Sequence, residues 1–497
     1  MERQMEYQST RSSIKASPAE AVLKGLAPDG GLFVYPYIRE LDFDWRSCVG
    51  KDFRAQSAMI LSALLPGLGD ESDIVERSYR DKFENDDIAP AVKVGEMYVT
   101  ELYHGPTSAF KDVALSVLPR LINCGKKTTG SSSETVILTA TSGDTGKAAL
   151  EGFSNVPGTK IIVFYPSEGV SAVQKAQMVT SSAENVAICA VEGNFDDCQT
   201  GVKKAFTSIP QDLLDGLGKE LSSANSINIG RLVPQIAYYF STYSQLISNG
   251  AIEPGDEIDF TVPTGNFGDI LAGYYAKLLG LPIGTLVCAS NSNSILTDFL
   301  NTGVYDTHRE FLKTTSPSMD ILVSSNLERL LFHACGNDPE HVSSLMASLS
   351  GTGRYEIGSA MLSAVNDTFR GYYASEEEVS DTIGKVWNDH HYLMDPHTAV
   401  AWCCAGKYLS DRGSVRRMAV LSTASPFKFP AAVLNALGYD PDGDDFGLLD
   451  ELSRITGQPI PKNLASLRTA PVIHKDTVSP DGISDYVISK LKNWSKR

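Results

Sequence analysis

The segment TVILTATSGDTGKAALEGF (135–153) decides the fold, because an apolar strand runs into a glycine-rich turn and then into a helix. TVILTA (135–140) has the composition of a buried strand, and GKAALEGF (146–153) has the apolar spacing of a helix. Similar strands, each followed by a helical pattern, are predicted at TKIIVFYP (159–166), NVAICAVEG (185–193), EIDFTVPTG (257–265), TLVCASN (285–291) and RMAVLSTAS (417–425). This alternation predicts an α/β fold, with parallel sheets flanked by helices and ligands bound beyond the carboxyl ends of the strands.

The chain is too long for one ordinary core, since 497 residues predict about two to three domains. Residues 1–95 do not follow the strand–helix rhythm and are expected to form a small N-terminal domain. Residues 96–497 are expected to form a catalytic region of two α/β subdomains. Within it, the stretch at about 296–385 is mainly helical and polar, which favours an insertion.

Composition excludes several classes of protein. The formal charge of −17 argues against nucleic-acid binding, which needs a basic surface. The N-terminal MERQMEYQST is polar, unlike a secretion signal, and no stretch approaches the roughly 18 to 20 apolar residues of a membrane span. The eight cysteines are scattered without a C-x-x-C pair, which favours reduced thiols and a cytoplasmic location.

The first glycine-rich turn, TATSGDTGKAAL (139–150), has the features of an anion site. Its glycines allow close approach of a ligand, Thr141, Ser142 and Thr145 add hydroxyl groups, and the amides at a helix start attract negative charge. A nucleotide P-loop is excluded, because four residues must separate its glycines and Ser or Thr must follow its lysine. Here only Asp144 and Thr145 separate the glycines, and Ala148 follows the lysine.

The second glycine-rich turn, PTGNFGDILAG (263–273), predicts a phosphate cradle. Gly265 and Gly268 bracket Asn266 and Phe267, so several backbone N–H groups can converge at the start of the helix. Asp269 lies in the first helical turn, where it either matches the helix dipole or organises the loop. Neither turn has the G-x-G-x-x-G spacing of a dinucleotide site.

A lysine follows a turn in ELYHGPTSAFKDVAL (101–115), where Thr107 or Ser108 is predicted to cap the helix. Taken alone, Lys111 would be interpreted as a solvated lysine at the edge of an apolar stripe. Together with a phosphate cradle and an anion turn, the lysine instead favours pyridoxal 5′-phosphate (PLP) as cofactor. Lysine supplies the primary amine that such an aldehyde needs, and partial burial lowers the pKa of that amine.

The histidine-rich segment DHHYLMDPH (389–397) raises the question of a metal site. Adjacent histidines point in different directions on a helix or a strand, and the His-x-x-x-His spacing is missing. We therefore predict no metal, and we interpret Asp395, Pro396 and His397 as a turn and helix cap.

With these segments assembled, the chain resembles the threonine synthase family of fold-type II PLP enzymes, which are related to the tryptophan synthase β subunit. The resemblance runs nearly from end to end, and its specificity comes from the order of the motifs. These are YQSTRSS (7–13), GLAPDGGLF (25–33), HGPTSAFKD (104–112), TATSGDTGKAA (139–149), GNFDDCQ (193–199), SANSINIGRLVPQIAYY (223–239), PTGNFGD (263–269), PSMDILVSSNLERLL (317–331) and DPHTAV (395–400).

The resemblance implies a role for each matching residue. Lys111 would be the catalytic residue and would bind PLP covalently, and Thr423 would meet the pyridine nitrogen, with Ser422 as the alternative. The remaining cofactor contacts are implied at Gly265, Asn266, Phe267, Gly268 and Asp269. Contacts to the substrate carboxylate are implied at Thr141, Ser142, Asp144 and Thr145. Related dehydratases and cysteine synthases usually have Asn at the position of Asp144, so the aspartate favours the threonine synthase branch.

The implied reaction converts O-phospho-L-homoserine and water into L-threonine and phosphate. One departure from the family pattern bears on it: where members often have TAHPAKF, this chain has TASPFKF (423–429), with Ser425 and Phe427 at the changed positions. Two alternatives therefore stay open, a phospho-lyase that releases 2-oxobutyrate from the same substrate and a catalytically inactive binding protein on the PLP fold.

The residues that bind the substrate phosphate are not settled by the sequence. Lys175 and Arg231 are candidate cations, and Asn225 and Asn228 either bind the same group or form turns. The expected partners are the small-molecule substrate and water, without nucleic acid or membrane, and a monomer is slightly favoured over a homo-oligomer.

Overall fold

The computed structural model describes residues 5–141, 143–167, 170–413 and 415–495 of the chain. Its N-terminal part is a three-stranded antiparallel sheet, in the order β2-β1-β3, together with three helices. These elements are β1 (Tyr7–Ser9), β2 (Lys15–Ala16), α1 (Pro18–Lys24), β3 (Phe33–Val34), α2 (Phe53–Leu64) and α3 (Glu71–Tyr79).

The next part of the chain contains two neighbouring strands of one sheet and most of a second sheet. In chain order its elements are β4 (Ala91–Val94), β5 (Met97–Glu101), α4 (Lys111–Thr129), β6 (Glu134–Ala140), α5 (Asp144–Phe153), β7 (Thr159–Pro166), α6 (Ala172–Val179), β8 (Val186–Val191), α7 (Phe195–Ser208), α8 (Gln211–Gly216) and β9 (Lys219–Ser222).

The remaining part of the chain completes both sheets and adds a helical layer. Its elements are α9 (Ile229–Leu232), α10 (Ile236–Ser248), β10 (Ile258–Pro263), α11 (Gly268–Leu278), β11 (Ile283–Ser290), α12 (Ile295–Thr302), β12 (Val304–Asp306), α13 (Leu327–Ala334), α14 (Pro339–Thr352), β13 (Arg354–Glu356), α15 (Ser359–Asn366), β14 (Phe369–Tyr373), α16 (Glu376–His390), α17 (Pro396–Arg412), β15 (Arg417–Ser422), α18 (Pro430–Ala436), α19 (Asp445–Thr456), α20 (Lys462–Ala465), β16 (Asp476–Val478) and α21 (Ile483–Trp494). Short 3₁₀ turns lie at Ile38–Glu40, Trp45–Cys48, Val233–Gln235, Pro317–Met319, Pro426–Lys428, Ser466–Arg468 and Pro480–Gly482.

Two mainly parallel sheets organise the chain beyond the N-terminal part. The large sheet has the order β14-β11-β10-β15-β5-β4 and is parallel except for the antiparallel pair of β4 with β5. The small sheet has the order β16-β8-β7-β6-β9 and is parallel throughout. The central strands are buried on both faces, as expected for sheets covered by helices. The predicted α/β architecture with parallel sheets flanked by helices is confirmed.

The topology brings the predicted motifs together. Strands β10, β15 and β5 are consecutive neighbours in the large sheet, and their carboxyl ends lead to the cradle, to Thr423 and to the Lys111 loop respectively. The turn after β6 of the small sheet carries Asp144, and α5 begins there. Ligands of open parallel sheets bind beyond such carboxyl ends, so these predicted motifs lie where the fold favours a ligand site.

Three details differ from the sequence-based description. The pair β4–β5 places residues 91–94 in the large sheet, although they lie within the range expected for the N-terminal domain. The stretch expected to be mainly helical also contributes β14, which pairs in parallel with β11 at the edge of the large sheet. The segment RLVPQIAYYFSTYSQLI (231–247) has the apolar spacing of one long helix, but a 3₁₀ turn at Pro234 interrupts it, because proline lacks the N–H that the helix would use.

Among the described residues, no helix is both long and apolar enough to cross a lipid bilayer.

Candidate active site

Lys111 is the first residue of α4, and the loop before it is fastened to the end of β15. The backbone N–H of Phe110 donates a hydrogen bond to the carbonyl oxygen of Thr423 at 2.9 Å. In the opposite direction, the N–H of Ser425 donates to the carbonyl oxygen of Ser108 at 3.0 Å. Two backbone hydrogen bonds therefore fix Lys111 beside the end of β15, which carries Thr423, the residue predicted to contact the ring nitrogen of PLP.

The predicted helix cap is wrong, because neither Thr107 nor Ser108 caps α4. Phe110 occupies the N-cap position and makes no side-chain cap hydrogen bond with the residues that the structure describes. Thr107 instead donates to the buried carboxylate of Asp112, from its N–H at 2.8 Å and from its hydroxyl at 2.7 Å. Ser108 adopts a left-handed conformation (φ 56°) and exchanges hydrogen bonds with the amide of Asn463. These polar contacts fold the turn back on itself before the helix begins.

The environment of the Lys111 amine lowers its pKa from 10.5 to about 8. Burial is the largest cause, because a charged ammonium loses hydration there. The negative charges of Asp144 and Asp269 raise the pKa, whereas the positive charges of Lys428 and Arg231 lower it. An amine with this pKa is partly neutral near physiological pH, so Lys111 can act as a nucleophile and as a base.

The predicted cradle is built from backbone. Gly265 passes so close to the 317–319 turn that a Cβ atom on it would lie 2.5 Å from the carbonyl oxygen of Ser318. Phe267 is the N-cap of α11 in a left-handed conformation (φ 60°), and in the described part of the chain its side chain makes no cap hydrogen bond. The first N–H groups of α11, from Gly268 onward, thus point at the loop without a side-chain cap, which suits an anion.

Asn266 is held from the side by the segment 324–329. The N–H and the side-chain amide of Asn326 both donate to the carbonyl oxygen of Asn266, each at 3.1 Å. The amide oxygen of Asn326 in turn accepts a hydrogen bond from the fully buried guanidinium of Arg329. That guanidinium also donates to the carbonyl oxygens of Phe33, at 2.9 Å, and Ile227, at 2.6 Å. Arg329 therefore links the N-terminal part of the chain to the cradle.

Asp269 is buried beneath the cradle between two tyrosines. The hydroxyl of Tyr238 donates to Oδ1 of Asp269, and the hydroxyl of Tyr239 donates to its backbone carbonyl at 2.9 Å. Burial raises the pKa of Asp269 to about 7, although both tyrosine hydrogen bonds and Lys111 oppose the rise. Its Oδ2 is buried and finds no hydrogen-bond partner among the described residues, which is unusual for a buried carboxylate.

In the turn after β6, one hydroxyl group that was predicted to bind ligand forms hydrogen bonds within the turn. The hydroxyl of Thr141 accepts from the N–H groups of Gly143 and Gly146, each at 3.0 Å, and donates to the carbonyl oxygen of Gly143. Thr141 therefore fixes the turn, while Thr145 is half-buried at the start of α5. Ser142, the other residue predicted here, lies outside the described residues.

A buried lysine that the sequence did not single out lies beside Asp144. Lys428 follows β15 and forms an ion pair with Oδ1 of Asp144, and both side chains are almost fully buried. The same ammonium donates to the carbonyl oxygen of Thr107 at 3.1 Å. Burial raises the pKa of Asp144, but Lys428 and then Lys111 outweigh it, so the net shift is downward and the carboxylate is charged.

The candidate cations for the substrate phosphate differ in burial. Arg231 is buried and donates to the carbonyl oxygen of Ala224 at 2.8 Å, yet its Nε has no partner within the part of the chain that is described. Burial lowers the pKa of Arg231 to about 10, so it stays protonated near neutral pH. Lys175 is exposed, and Asn228 caps α9 through a hydrogen bond from Gly230. The structure therefore favours Arg231 over Lys175 as an anion ligand.

Thr423 is buried at the end of β15, beside the Lys111 loop. The neighbouring Ser422 shares a hydrogen bond with the hydroxyl of Thr398 at 2.9 Å, which occupies its hydroxyl away from the loop. Ser425, at the changed family position, caps the following 3₁₀ turn by accepting from the N–H of Phe427 at 3.3 Å. Ser425 thus has a structural task in this chain.

The DPH segment is a helix cap, as interpreted. Asp395 is the N-cap of α17 and accepts hydrogen bonds from the N–H groups of His397 and Thr398. The side chain of Asp395 also contacts Nδ1 of His397 at 2.6 Å. Nε2 of His397 accepts from the N–H of Ser318 at 3.1 Å, so this histidine holds the turn that covers Gly265.

Comparison with known families agrees with the motifs. Residues 6–79 match the family model described as "Threonine synthase N terminus", and residues 398–476 match "Threonine synthase, C-terminal". Threonine synthase of Saccharomyces cerevisiae is 37% identical over 465 residues, which cover 87% of this chain and 89% of that protein. Human threonine synthase-like 1 is 40% identical over 442 residues, but this chain spans only 58% of its length.

Solved structures of similar proteins cover the chain almost completely. PLP-bound threonine synthase from Brucella melitensis superposes with a TM-score of 0.86 at 36% identity, over 99% of this chain and 100% of that one. Yeast threonine synthase superposes with a TM-score of 0.87 at 33% identity, over 99% of both chains. The predicted fold of fold-type II PLP enzymes is confirmed by these superpositions, and the chain belongs to the threonine synthase family.

Proposed function

We propose that this chain is a PLP-dependent threonine synthase, a carbon–oxygen lyase that converts O-phospho-L-homoserine and water into L-threonine and phosphate. The observation that carries the proposal is the Lys111 amine, whose pKa is lowered to about 8 beside the uncapped cradle at 265–269. The likeness to proteins named threonine synthase, one of them solved with PLP bound, supports the same activity.

The residues of the site fit PLP. The cradle offers backbone N–H groups to its phosphate, Lys111 offers an amine to its aldehyde, and Thr423 offers a hydroxyl to its ring nitrogen. The unpartnered Oδ2 of Asp269, below the cradle, is a buried acceptor that a bound group or its water would satisfy. When bound, PLP would stabilise the negative charge that develops at Cα of the substrate.

Lys111 would move the protons of the reaction. As a neutral amine it would take a proton from Cα, pass it to solvent, and then take a proton from Cβ. As an ammonium it would return one proton to Cγ, which becomes the methyl group of threonine, and one to Cα at the end. Loss of the Cβ proton allows the bond from Cγ to the phosphate oxygen to break, so phosphate leaves. Water then adds at Cβ, where it supplies the hydroxyl group of threonine, and its other proton goes to the released phosphate.

Arg231 would bind the phosphate group of the substrate. Its guanidinium is buried and charged, and the unpartnered Nε is available to a phosphate oxygen. A buried cation of this kind would orient the substrate and stabilise the charge on the leaving group.

The N-terminal end of α5 would bind the substrate carboxylate. The predicted contacts were Thr141, Ser142, Asp144 and Thr145. Because the hydroxyl of Thr141 is used within the turn, we assign the carboxylate to Thr145 and to the backbone N–H groups at the start of α5.

The remaining predictions concern the whole protein. We propose a cytoplasmic enzyme, supported by eight cysteines that all lie in the described residues and form no disulfide. We also propose that the protein is a monomer. The proposed N-terminal domain (1–95) is supported by the family match at residues 6–79.

The test is to incubate the purified protein with PLP and O-phospho-L-homoserine and to measure the products. Threonine and phosphate should appear in equal amounts, and Lys111→Ala should abolish turnover. Lys127→Ala, an exposed lysine on the same helix, should retain it. Release of 2-oxobutyrate with ammonia would instead show the phospho-lyase. No turnover, together with no visible absorbance band that borohydride bleaches, would show an inactive binding protein.

A further inference from the structure

The ion pair between Asp144 and Lys428 crosses from one sheet to the other. Asp144 begins α5 directly after the small-sheet strand β6, whereas Lys428 follows the large-sheet strand β15. The two side chains are only 6% and 1% exposed, although they lie 284 residues apart in the sequence. A buried lysine without a partner would lose its charge, so the pairing accounts for the presence of both groups.

Lys428 also contacts the loop that leads to the catalytic lysine. Its ammonium donates to the carbonyl oxygen of Thr107 at 3.1 Å, four residues before Lys111. One cation therefore contacts the turn proposed to bind the substrate carboxylate and the loop that carries the catalytic amine.

The charge of Asp144 conflicts with carboxylate binding by this residue. Opposite charges on Lys428 and Lys111 outweigh burial and keep the pKa of Asp144 low. A charged carboxylate repels the carboxylate of the substrate, and in a buried site that repulsion is weakly screened. The helix start at Asp144 can accept an anion only if the charge of Asp144 is compensated.

Building on the proposed function, we propose that Lys428 is a positioning residue that neutralises Asp144, so that the start of α5 binds the substrate carboxylate through neutral donors. Asp144 then serves as the anchor for Lys428 and does not itself bind the carboxylate. The pair sets which amino-acid substrates the site accepts, namely those with a free α-carboxylate.

Four variants distinguish neutralisation of the Asp144 charge by Lys428 from a purely structural role of the ion pair. They are Lys428→Met, Lys428→Arg, Asp144→Asn and the double variant Asp144→Asn/Lys428→Met. The probes are L-norvaline, which has an α-amine and a carboxylate, and n-butylamine, which has only the amine. Binding to the PLP-loaded protein is measured by calorimetry, and the thermal unfolding midpoint of each variant is recorded.

Lys428→Met should weaken L-norvaline binding at least about ten-fold, because it leaves one buried charge uncompensated, and should leave n-butylamine binding unchanged. The double variant should recover L-norvaline binding to within about three-fold of the unmodified protein, since no net charge remains at the turn. Lys428→Arg should also retain binding, because it keeps the positive charge. Asp144→Asn alone removes the repelling carboxylate, and the buried Lys428 that loses its partner becomes neutral, so this variant should not weaken L-norvaline binding.

The pH dependence gives a second readout. In Lys428→Met the remaining neighbours of Asp144 are Lys111 and His397, and burial then raises the pKa of Asp144. Lower pH would protonate Asp144 and relieve the repulsion, so the defect in L-norvaline binding should shrink as pH falls. The double variant lacks the carboxylate and should show no such recovery.

Two results would overturn the proposal in favour of a structural pair. The first is that Lys428→Met weakens the binding of both probes equally. The second is that the double variant binds L-norvaline as weakly as Lys428→Met does. Threonine formation by the unmodified protein is assayed in parallel. If it fails while the L-norvaline pattern holds, the proposed function is wrong and the charge compensation stands. If threonine forms and the pattern fails, only the role of Lys428 is wrong.

Discussion

The backbone N–H of Phe110 donates to the carbonyl oxygen of Thr423 at 2.9 Å, so the loop before Lys111 and the end of β15 are joined by main-chain contact. The adjacent bridge between Ala109 and Ala424 extends the contact. Because main-chain hydrogen bonds do not depend on side-chain identity, substitution of Lys111 should leave this geometry intact. The chemical effect of substituting Lys111 can therefore be measured in a protein that keeps its fold.

The first prediction concerns the reactivity of Lys111. Since burial lowers the pKa of its amine to about 8, labelling by an amine-specific reagent should reach half its maximum near that pH. The protein without added PLP is labelled at pH values between about 6 and 11, and peptides are quantified by mass spectrometry. Lys127, exposed on the same helix, corrects for decay of the reagent. A midpoint above about pH 10 would show that Lys111 has the ordinary pKa of a solvated lysine.

The second prediction concerns Asp269 and stability. Burial raises its pKa from 3.8 to about 7 in the folded state, so between these values the folded protein binds more protons than the unfolded chain. The free energy of unfolding should therefore fall as pH rises through this window. Asp269→Asn cannot ionise but still accepts from Tyr238, and it should gain up to about 4 kcal/mol relative to the unmodified protein between pH 4 and pH 8.

Urea unfolding at pH 5 and pH 8, without added PLP, measures the effect of Asp269→Asn. The free energy of unfolding of the variant should exceed that of the unmodified protein by more at pH 8 than at pH 5. A difference that is equal at both pH values would show that Asp269 does not change its ionisation in this range.

Local sequence patterns predicted most of the fold and the polar turns. The strand–turn–helix units at 135–153 and 257–278 form as predicted, because apolar strands, glycine turns and helical spacing are all encoded by neighbouring residues. Strand β14 was missed, since FRGYY lies at a sheet edge, where burial on one side weakens the apolar pattern. Whether each predicted site residue binds ligand stays a prediction.

Contacts between distant segments could not be predicted from the sequence. Lys428 appeared only as part of a departure from the family pattern at 423–429, and nothing local indicates that its partner is Asp144. The same holds for Arg329, which contacts Phe33 across 296 residues. Buried charges must find partners, so a charged residue inside an apolar segment was the one available signal.

The third prediction tests the close backbone approach at the cradle. Gly265→Ala would place a methyl group 2.5 Å from the carbonyl oxygen of Ser318, and neither backbone can move far. We expect a loss of about 1–3 kcal/mol in the free energy of unfolding and weaker PLP binding, measured by urea unfolding and by fluorescence titration. Gly406→Ala is the control, because no other described residue lies within 4 Å of its added Cβ atom, so the substitution should be neutral or slightly stabilising. Equal effects of the two substitutions would refute the packing argument.

The fourth prediction distinguishes the candidate cations for the substrate phosphate. Arg231→Met should raise KM for O-phospho-L-homoserine by about ten- to one-hundred-fold, the value of a charge-assisted hydrogen bond. It should also weaken inhibition by inorganic phosphate to a similar extent. Lys175→Met should change both by less than about two-fold, because that lysine is exposed. The reverse order of effects would assign the phosphate to Lys175.

The fifth prediction concerns the link from the N-terminal part of the chain to the cradle. Arg329 is fully buried and donates to the carbonyl oxygens of Phe33 and Ile227 and to the side chain of Asn326. Arg329→Met would leave these acceptors unsatisfied, at a cost of about 2–5 kcal/mol in the free energy of unfolding. PLP affinity should fall as well, because Asn326 holds the backbone of the cradle residue Asn266.

Arg354→Met is the matched control for Arg329→Met, since Arg354 is half exposed and pairs with surface carboxylates. It should change the free energy of unfolding by no more than about 1 kcal/mol and leave PLP affinity unaltered. Urea unfolding gives the first quantity, and fluorescence titration with PLP gives the second. If Arg329→Met destabilises the protein but PLP binds with unchanged affinity, Arg329 only joins the N-terminal part to the core and does not position the cradle.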